Sequence, residues 1–308
     1  MQTTNHLLLV RPANFARASE TVADNSFQEA VSAEPFDDIA ARAVAEFDRF
    51  AALLRQAGVD VTVIADTPIP VKPDAVFPNN WFSTHADGTL VTYPTYWPQR
   101  RQERREDIIE QLSEQFALLR RVDLSVWEAE NLFLESTGSL LLDRVQRVAY
   151  ACLSQRCSPE AVYRWCERMD YQPITFHALD ARGDVIYHTN VMMALGTERA
   201  VICLDAIRDG GERAKVTESL LLGGRQLVQL SLEQIDRFAG NMLEAVTPAG
   251  PLWIMSSAAH DALTEAQRQS LLEVPATRIL HSDLGTIERY GGGSARCMLG
   301  EIFLPPRS

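Results

Sequence analysis

Gly291-Gly292-Gly293-Ser294-Ala295-Arg296-Cys297 is the last of five polar or glycine-containing segments, each of which follows one strand-like stretch and opens a hairpin. Upstream lie Gly240-Asn241-Met242, Tyr187-His188-Thr189-Asn190, Leu134-Glu135-Ser136-Thr137-Gly138 and Phe77-Pro78-Asn79-Asn80. One residue from each, Asn80, Glu135, His188, Asn241 and Cys297, recurs at intervals of 55, 53, 53 and 56. A unit of about 54 residues cannot bury both faces of its own small sheet and helix, so equivalent units pack around a common axis. Five such units closing into a ring bring the five positions toward one central pit. The expected fold is an α/β propeller of five blades. No Ser/Gly/Pro tract or charge block separates two domains, so residues 1–308 are read as a single domain.

Working outward, helices are expected at about 37–57, 100–119, 158–169, 210–222 and 264–273. Ser158-Pro159-Glu160 supplies an N-cap, a first-turn proline and an early acid, and Thr264-Glu265 a cap followed by an acid. Between the helices, strands are expected at His6–Val10, Val61–Ile64, Leu140–Leu142, Val148–Leu153, Val191–Leu195, Ala200–Leu204 and Leu252–Met255.

Composition bounds the function without naming it. The 308 residues are 46% hydrophobic and 23% charged, enough for a large core without staples. A net charge of −12 opposes non-specific binding to nucleic acid or anionic membranes. No apolar run reaches the ~20 residues that span a bilayer. Met1 to Glu20 lacks the basic and apolar regions of a signal peptide. The five cysteines cannot all pair within the chain, form no C-x-x-C and lack zinc-site spacing. A reducing cytoplasm is the expected location, and the oligomeric state stays open, a homo-oligomer included.

At the axis the spacing gathers a thiol, an imidazole and a carboxylate. A thiol is a useful nucleophile only as thiolate, so Cys297 needs a cationic or basic neighbour. His188 can be that neighbour and can move protons to and from a leaving group and water, while Glu135 handles protons on reacting nitrogens. Each alone has a plainer reading. Cys152, Cys157, Cys166 and Cys203 read as small buried hydrophobes, His188 as a structural histidine, Glu135 as a hairpin or cap residue. The constellation carries the chemistry.

A second feature is Tyr93-Pro94-Thr95-Tyr96-Trp97-Pro98-Gln99-Arg100-Arg101-Gln102-Glu103-Arg104-Arg105. Four arginines crowd a helix start, where the macrodipole disfavours cations by about 0.3–1 kcal/mol each. A solvated face accounts for Arg101, Arg104 and Arg105. Arg100, beside the hairpin mouth, is placed to hold a carboxylate, and Arg156 sits at the corresponding place in the next repeat.

These residues together resemble the guanidino-group modifying enzymes: arginine deiminases, dimethylarginine hydrolases and amidinotransferases. The resemblance covers residues 6–305 and implies the pentein form of the five-bladed α/β propeller. Arginine deiminases carry a segment similar to Tyr96-Trp97-Pro98-Gln99-Arg100-Arg101-Gln102-Glu103, and a Glu-Gly-Gly-Asp stretch at Glu135-Ser136-Thr137-Gly138. Their His-x-Asp motif falls at His188-Thr189-Asn190, and their glycine-rich run ending in Cys-Met at Gly291 to Met298. The resemblance implies Cys297 as nucleophile, His188 as general acid/base, Glu135 as a second proton-handling group, and Arg100 and Arg156 as holders of the amino-acid carboxylate.

The departures point to substrate. The family deiminases clamp a guanidinium between aspartates at the positions of Asn80 and Asn190, and here both are amides. An amide pair offers donors and acceptors without net charge. That suits a neutral ureido group, whereas a guanidinium without counter-charges would lose several kcal/mol. The expected substrate is therefore citrulline, with the chain most similar to a citrulline ureidase giving ornithine, ammonia and carbon dioxide through a covalent Cys297 intermediate. That chemistry requires no metal or organic cofactor. The rival readings are hydrolysis or amidino transfer on arginine or a methylated arginine, and a non-catalytic amino-acid sensor.

Overall fold

In the computed structural model, which describes residues 1–16, 20–29 and 34–307, every one of the five turns leads into an inner strand. β1 (His6–Arg11) is followed by helix Phe36–Gln56 and by β2 (Asp60–Ala65), parallel to β1. The pattern then repeats as inner strand, antiparallel neighbour, outer helix and parallel third strand. β3 (Phe82–Thr84) and β4 (Thr89–Thr92) form a hairpin, helix Glu106–Gln115 crosses over, and β5 (Arg120–Asp123) returns parallel to β4. β6 (Leu140–Asp143), β7 (Val148–Cys152), helix Pro159–Met169 and β8 (Gln172–Phe176) make the next blade. β9 (Met193–Leu195), β10 (Arg199–Ile202), helix Gly210–Leu222 and β11 (Gln226–Gln229) follow. The fourth repeat is β12 (Leu243–Thr247), β13 (Gly250–Ser256), helix Glu265–Leu272 and β14 (Arg278–Ser282). Finally β15 (Gly300–Ile302) pairs antiparallel with β1, so His6 faces Ile302 and the two ends of the chain share one blade. Five three-stranded sheets result, the five-bladed ring expected from the spacing and the pentein form that the resemblance implies.

The middle strand of each blade is covered on both faces, which explains runs such as Val148-Ala149-Tyr150-Ala151-Cys152, buried throughout. The outer helices are one-sided. Phe36–Gln56 buries Ile39, Ala43, Phe47, Phe50, Ala51 and Leu54, spaced three or four apart, against the blade that carries β1. Phe47→Ala would cost about 3–5 kcal/mol there.

Local detail departs from expectation where tertiary contacts intervene. The helix expected over 100–119 is split into a 3-10 turn, Pro98–Glu103, and the helix Glu106–Gln115. Arg104 and Arg105 between them are extended, with Arg104 paired to Glu128 and Arg105 to Asp107 and Asp66. Arg105 stands at the N-cap of the second helix, and Arg101, Arg104 and Arg105 are all ion-paired rather than merely solvated, which offsets the dipole penalty. Ser158 occupies the N-cap, but its hydroxyl accepts from Phe133 N at 2.9 Å instead of capping its own helix. Thr264 makes the full capping box with Gln267. Val191 and Met192, expected in a strand, close the helical turn Thr189–Met192 that delivers His188 and Asn190.

Candidate active site

Four of the five spoke residues sit in or beside a short helical turn at the start of an inner strand. Cys297 lies in the turn Ala295–Met298 before β15, and Asn80 in Pro78–Asn80 before β3. Glu135 and His188 are the N-cap residues that enter Ser136–Ser139 and Thr189–Met192. Asn241 precedes β12. Ring closure brings these turns together although 217 residues separate Asn80 from Cys297.

Cys297 is buried, and two amides reach its sulfur. Asn241 Nδ2 lies 3.2 Å from Sγ and Asn190 Nδ2 3.5 Å. Asn241 is itself held, donating to Asn190 O at 3.0 Å and accepting from Arg296 N at 3.0 Å. His188 and Glu135 form a buried pair, His188 Nε2 to Glu135 Oε2 at 2.8 Å. Glu135 Oε1 accepts from Tyr96 N at 3.1 Å, and Arg156 Nη1 stands 3.8 Å from Oε2. Burial pushes the Glu135 carboxyl up, but Arg156, His188 and Arg100 outweigh it and hold the group at about 2. An ionised carboxylate only accepts, so His188 Nε2 carries the proton and Nδ1 keeps its lone pair. Burial lowers the His188 pKa more than Glu135 raises it, with Arg156 and Arg100 adding to the fall. The imidazole is thus neutral near pH 7, a base with Nδ1 free to accept.

Two backbone positions are tightly specified. Ser136 has φ +44°, in the left-handed region that favours glycine, and its hydroxyl donates to Phe82 O at 2.7 Å. That conformation costs an L-residue about 1–2 kcal/mol. At Gly138 a Cβ would lie 2.6 Å from Asn80 Oδ1 and 2.9 Å from His188 Nδ1. A side chain there would have to displace Asn80 or His188.

The two arginines expected to hold a carboxylate already have acidic partners. Arg100 donates from Nε and Nη2 to Glu103 at 2.9 and 2.8 Å. Arg156 forks onto Asp24, with Nε to Oδ2 at 2.9 Å and Nη2 to Oδ1. Trp97 Nε1 donates to the same Asp24 at 2.9 Å. Both arginines nevertheless line the central cavity with Asn80, His188, Cys297, Asp74, Tyr187 and the glycines 291–293. Glu135 lies behind His188 and does not line it. The cavity measures about 10 Å³, room for one water. An amino acid enters only if a wall moves, and residues 20–29 form one wall through Thr21 and Asn25.

Asp24, Asp74 and Tyr187 escape the sequence reading. Asp24 lies in the connection between β1 and its helix, outside every repeat. Tyr187 does carry a signal, its adjacency to His188, and its hydroxyl donates to Gly292 O at 2.6 Å. The Oδ1 atoms of Asn80 and Asn190 are buried acceptors without a hydrogen-bond partner among the described residues. Such acceptors are rare unless a ligand or water supplies the donor.

A family profile described as "N,N dimethylarginine dimethylhydrolase, eukaryotic" matches residues 11–304. Among solved structures, the N-terminal domain of ArgZ, an arginine dihydrolase from the ornithine–ammonia cycle in Cyanobacteria, superposes with a TM-score of 0.75 at 16% identity. The match covers 97% of this chain and 98% of that domain. AgrE in complex with L-arginine gives a TM-score of 0.76 at 18% identity, covering 98% of this chain but 41% of AgrE. A dimethylarginine dimethylaminohydrolase bearing an S-methyl-L-thiocitrulline adduct gives 0.68 at 14% identity, covering 97% and 100%. No curated protein sequence matches. Among the described residues no helix is long and apolar enough to cross a membrane. By its sequence from residue 11 to 304, this chain belongs to the dimethylarginine dimethylhydrolase family of guanidino-group modifying enzymes, hydrolases of carbon–nitrogen bonds.

Proposed function

We propose that the chain hydrolyses the ureido group of citrulline, with Cys297 as nucleophile, His188 as general acid/base and Glu135 as the carboxylate that fixes the His188 tautomer and shares its protons. One observation carries the choice of substrate. The polar groups next to Cys297 are the neutral amides of Asn190 and Asn241, with Asn80 beside His188, while Glu135 already has Arg156 as its counter-charge and accepts a hydrogen bond from His188. The unpartnered Oδ1 atoms of Asn80 and Asn190 would accept the ureido N–H groups. Arg156 would exchange Asp24 for the substrate carboxylate, with Arg100 beside it.

In this reading the Cys297 thiolate attacks the ureido carbon. His188, protonated by the thiol, gives that proton to the departing nitrogen, and one C–N bond breaks. If ornithine leaves first, a carbamoyl thioester remains. Water, giving a proton to His188, then cleaves the C–S bond, regenerates the thiol and releases carbamic acid, which falls to ammonia and carbon dioxide. The balance is citrulline plus water to ornithine, ammonia and carbon dioxide, and residues 1–308 act as one catalytic unit in the cytoplasm.

A second reading, hydrolysis of arginine or a methylated arginine, has two supports. The similar solved structures are an arginine dihydrolase, a complex with L-arginine and a dimethylarginine dimethylaminohydrolase, and Asp74 puts a carboxylate in the cavity wall. The comparisons favour this reading over the ureido one, and the amides favour the reverse. Mass spectrometry of products after separate incubation with citrulline, arginine and dimethylarginine decides. Ornithine from citrulline alone is the expected result, and ornithine or citrulline formed faster from arginine overturns it.

A further inference from the structure

Three inner strands, β3, β6 and β15, begin beside Asn80, Glu135 and Cys297. At their other ends stand His85, Arg144 and Phe303. These three residues line a second cavity of about 410 Å³, a strand's length from Cys297. It has four arginines, drawn from separate parts of two blades. Arg120 opens β5, Arg144 and Arg147 come from the turn between β6 and β7, and Arg168 from the last turn of helix Pro159–Met169.

The partners of these arginines leave positive charge unspent. Arg120 has the exposed Asp87 at 3.8 Å, and Arg147 has the exposed Asp170 at 3.7 Å. Arg144 is held by Thr84 O at 3.2 Å and by the Phe303 ring, 3.7 Å below its Cζ, and has no carboxylate partner among the described residues. Among the described residues the Arg168 side chain has neither a hydrogen bond nor an ion pair. Four guanidinium groups therefore face two carboxylates in a chain whose net charge is −12. Gathering like charges costs energy unless an anion joins them. The geometry is held rather than loose. Arg144 is clamped on Phe303, and Arg147 donates to Asp170 O at 3.0 Å with its Cζ 4.1 Å over Tyr171. His85 at the base of the cavity is buried and bonded to Ser83 at 3.0 Å. Burial and the facing Arg144, Arg147 and Arg120 hold it neutral, so it leaves the excess of charge to the arginines and can offer or accept one hydrogen bond.

We propose that this cavity binds a small phosphate-bearing anion. Guanidinium forks match phosphate oxygens two at a time, and the volume lies within the about 300–1,000 Å³ usual for small-molecule sites. The net acidity of the chain argues against a nucleic-acid backbone as the occupant. Phosphate chemistry is common to pyrophosphate and to nucleoside triphosphates, and the experiment separates them.

The test is isothermal titration calorimetry of the full chain with inorganic pyrophosphate, adenosine triphosphate and citrate. Saturable binding of one pyrophosphate or triphosphate per chain is expected, with citrate at least tenfold weaker. Tighter binding of the triphosphate than of pyrophosphate assigns part of the site to the nucleoside, and equal binding assigns it to the phosphates alone. Arg168→Glu breaks no side-chain hydrogen bond or ion pair among the described residues and should weaken binding at least tenfold with turnover of the amino-acid substrate unchanged. Arg144→Gln should do the same by a second route. The proposal is overturned by absence of saturable binding at about 1 mM, by citrate binding as well as pyrophosphate, or by affinity that survives both substitutions.

Discussion

Asn241 Nδ2 lies 3.2 Å from Cys297 Sγ, closer than any other side-chain donor on that sulfur among the described residues. An amide donor stabilises the thiolate without adding charge, and Asn241→Asp would replace it with a repelling carboxylate. We expect the variant to alkylate with iodoacetamide at least tenfold more slowly near neutral pH, its rate profile displaced to higher pH. The native protein should label at Cys297 first. Burial pushes the Cys152 and Cys166 thiols up to about 12 and raises Cys157 and Cys203 as well. Even labelling of all five, or an unchanged rate profile in Asn241→Asp, would remove the nucleophile assignment.

Replacing Asn80 and Asn190 together by Asp would keep acceptors for the ureido N–H groups but remove both amide donors, Asn190 Nδ2 on Cys297 Sγ among them. It would also set two carboxylates beside a neutral group and a thiolate in a buried pocket. The loss should be about 3 kcal/mol or more, roughly a hundredfold in kcat/KM on citrulline. Steady-state kinetics on citrulline and arginine, native against double variant, reads this directly. Native preference for arginine, or full citrulline activity in the variant, counts against selection by the amides.

The Glu135–His188 pair makes the fold acid-labile. Glu135 sits at about 2 when folded and near its ordinary 4.5 when unfolded. Its contribution, about 3 kcal/mol, is therefore complete above pH 4.5 and disappears as pH falls toward 2. His188 acts in the same sense: folded it refuses a proton that the unfolded chain accepts below 6.5. Urea unfolding across the acid range should show stability falling with pH, and more gently in Glu135→Gln. A parallel pH dependence in the two proteins would contradict the assignment.

Gly138→Ala should cost at least tenfold in kcat, because the new methyl meets Asn80 Oδ1 and His188 at once. Strain of about 1–3 kcal/mol should appear in the unfolding midpoint as well. A fully active variant would mean that neither side chain needs its present position.

The even step from Asn80 to Cys297 is legible in sequence because each turn solves the same local problem, leading a polar segment into an inner strand. That regularity is enough to infer the ring and to collect the residues around Cys297. It fails where a contact belongs to no repeat. Asp24 reaches Arg156 from a connection that exists once in the chain. The Arg100–Glu103 pair depends on Pro98–Glu103 forming a tight turn instead of the first coil of a longer helix. Val191 and Met192 have strand composition, yet the need to present His188 and Asn190 winds them into a helical turn.

The pairing of β15 with β1 also sets an order of events during translation. Cys297 is made after every other residue of the candidate site, and β1 must wait for β15 while the 294 intervening positions from His6 to Gly300 are added. At about 5–20 residues per second that is roughly fifteen seconds to a minute. Throughout it, one edge of β1 is unpaired and the nascent chain carries an arc of blades with a gap. A chaperone that shields a strand edge would have its longest opportunity there, and hydrolytic activity would begin only when the gap closes.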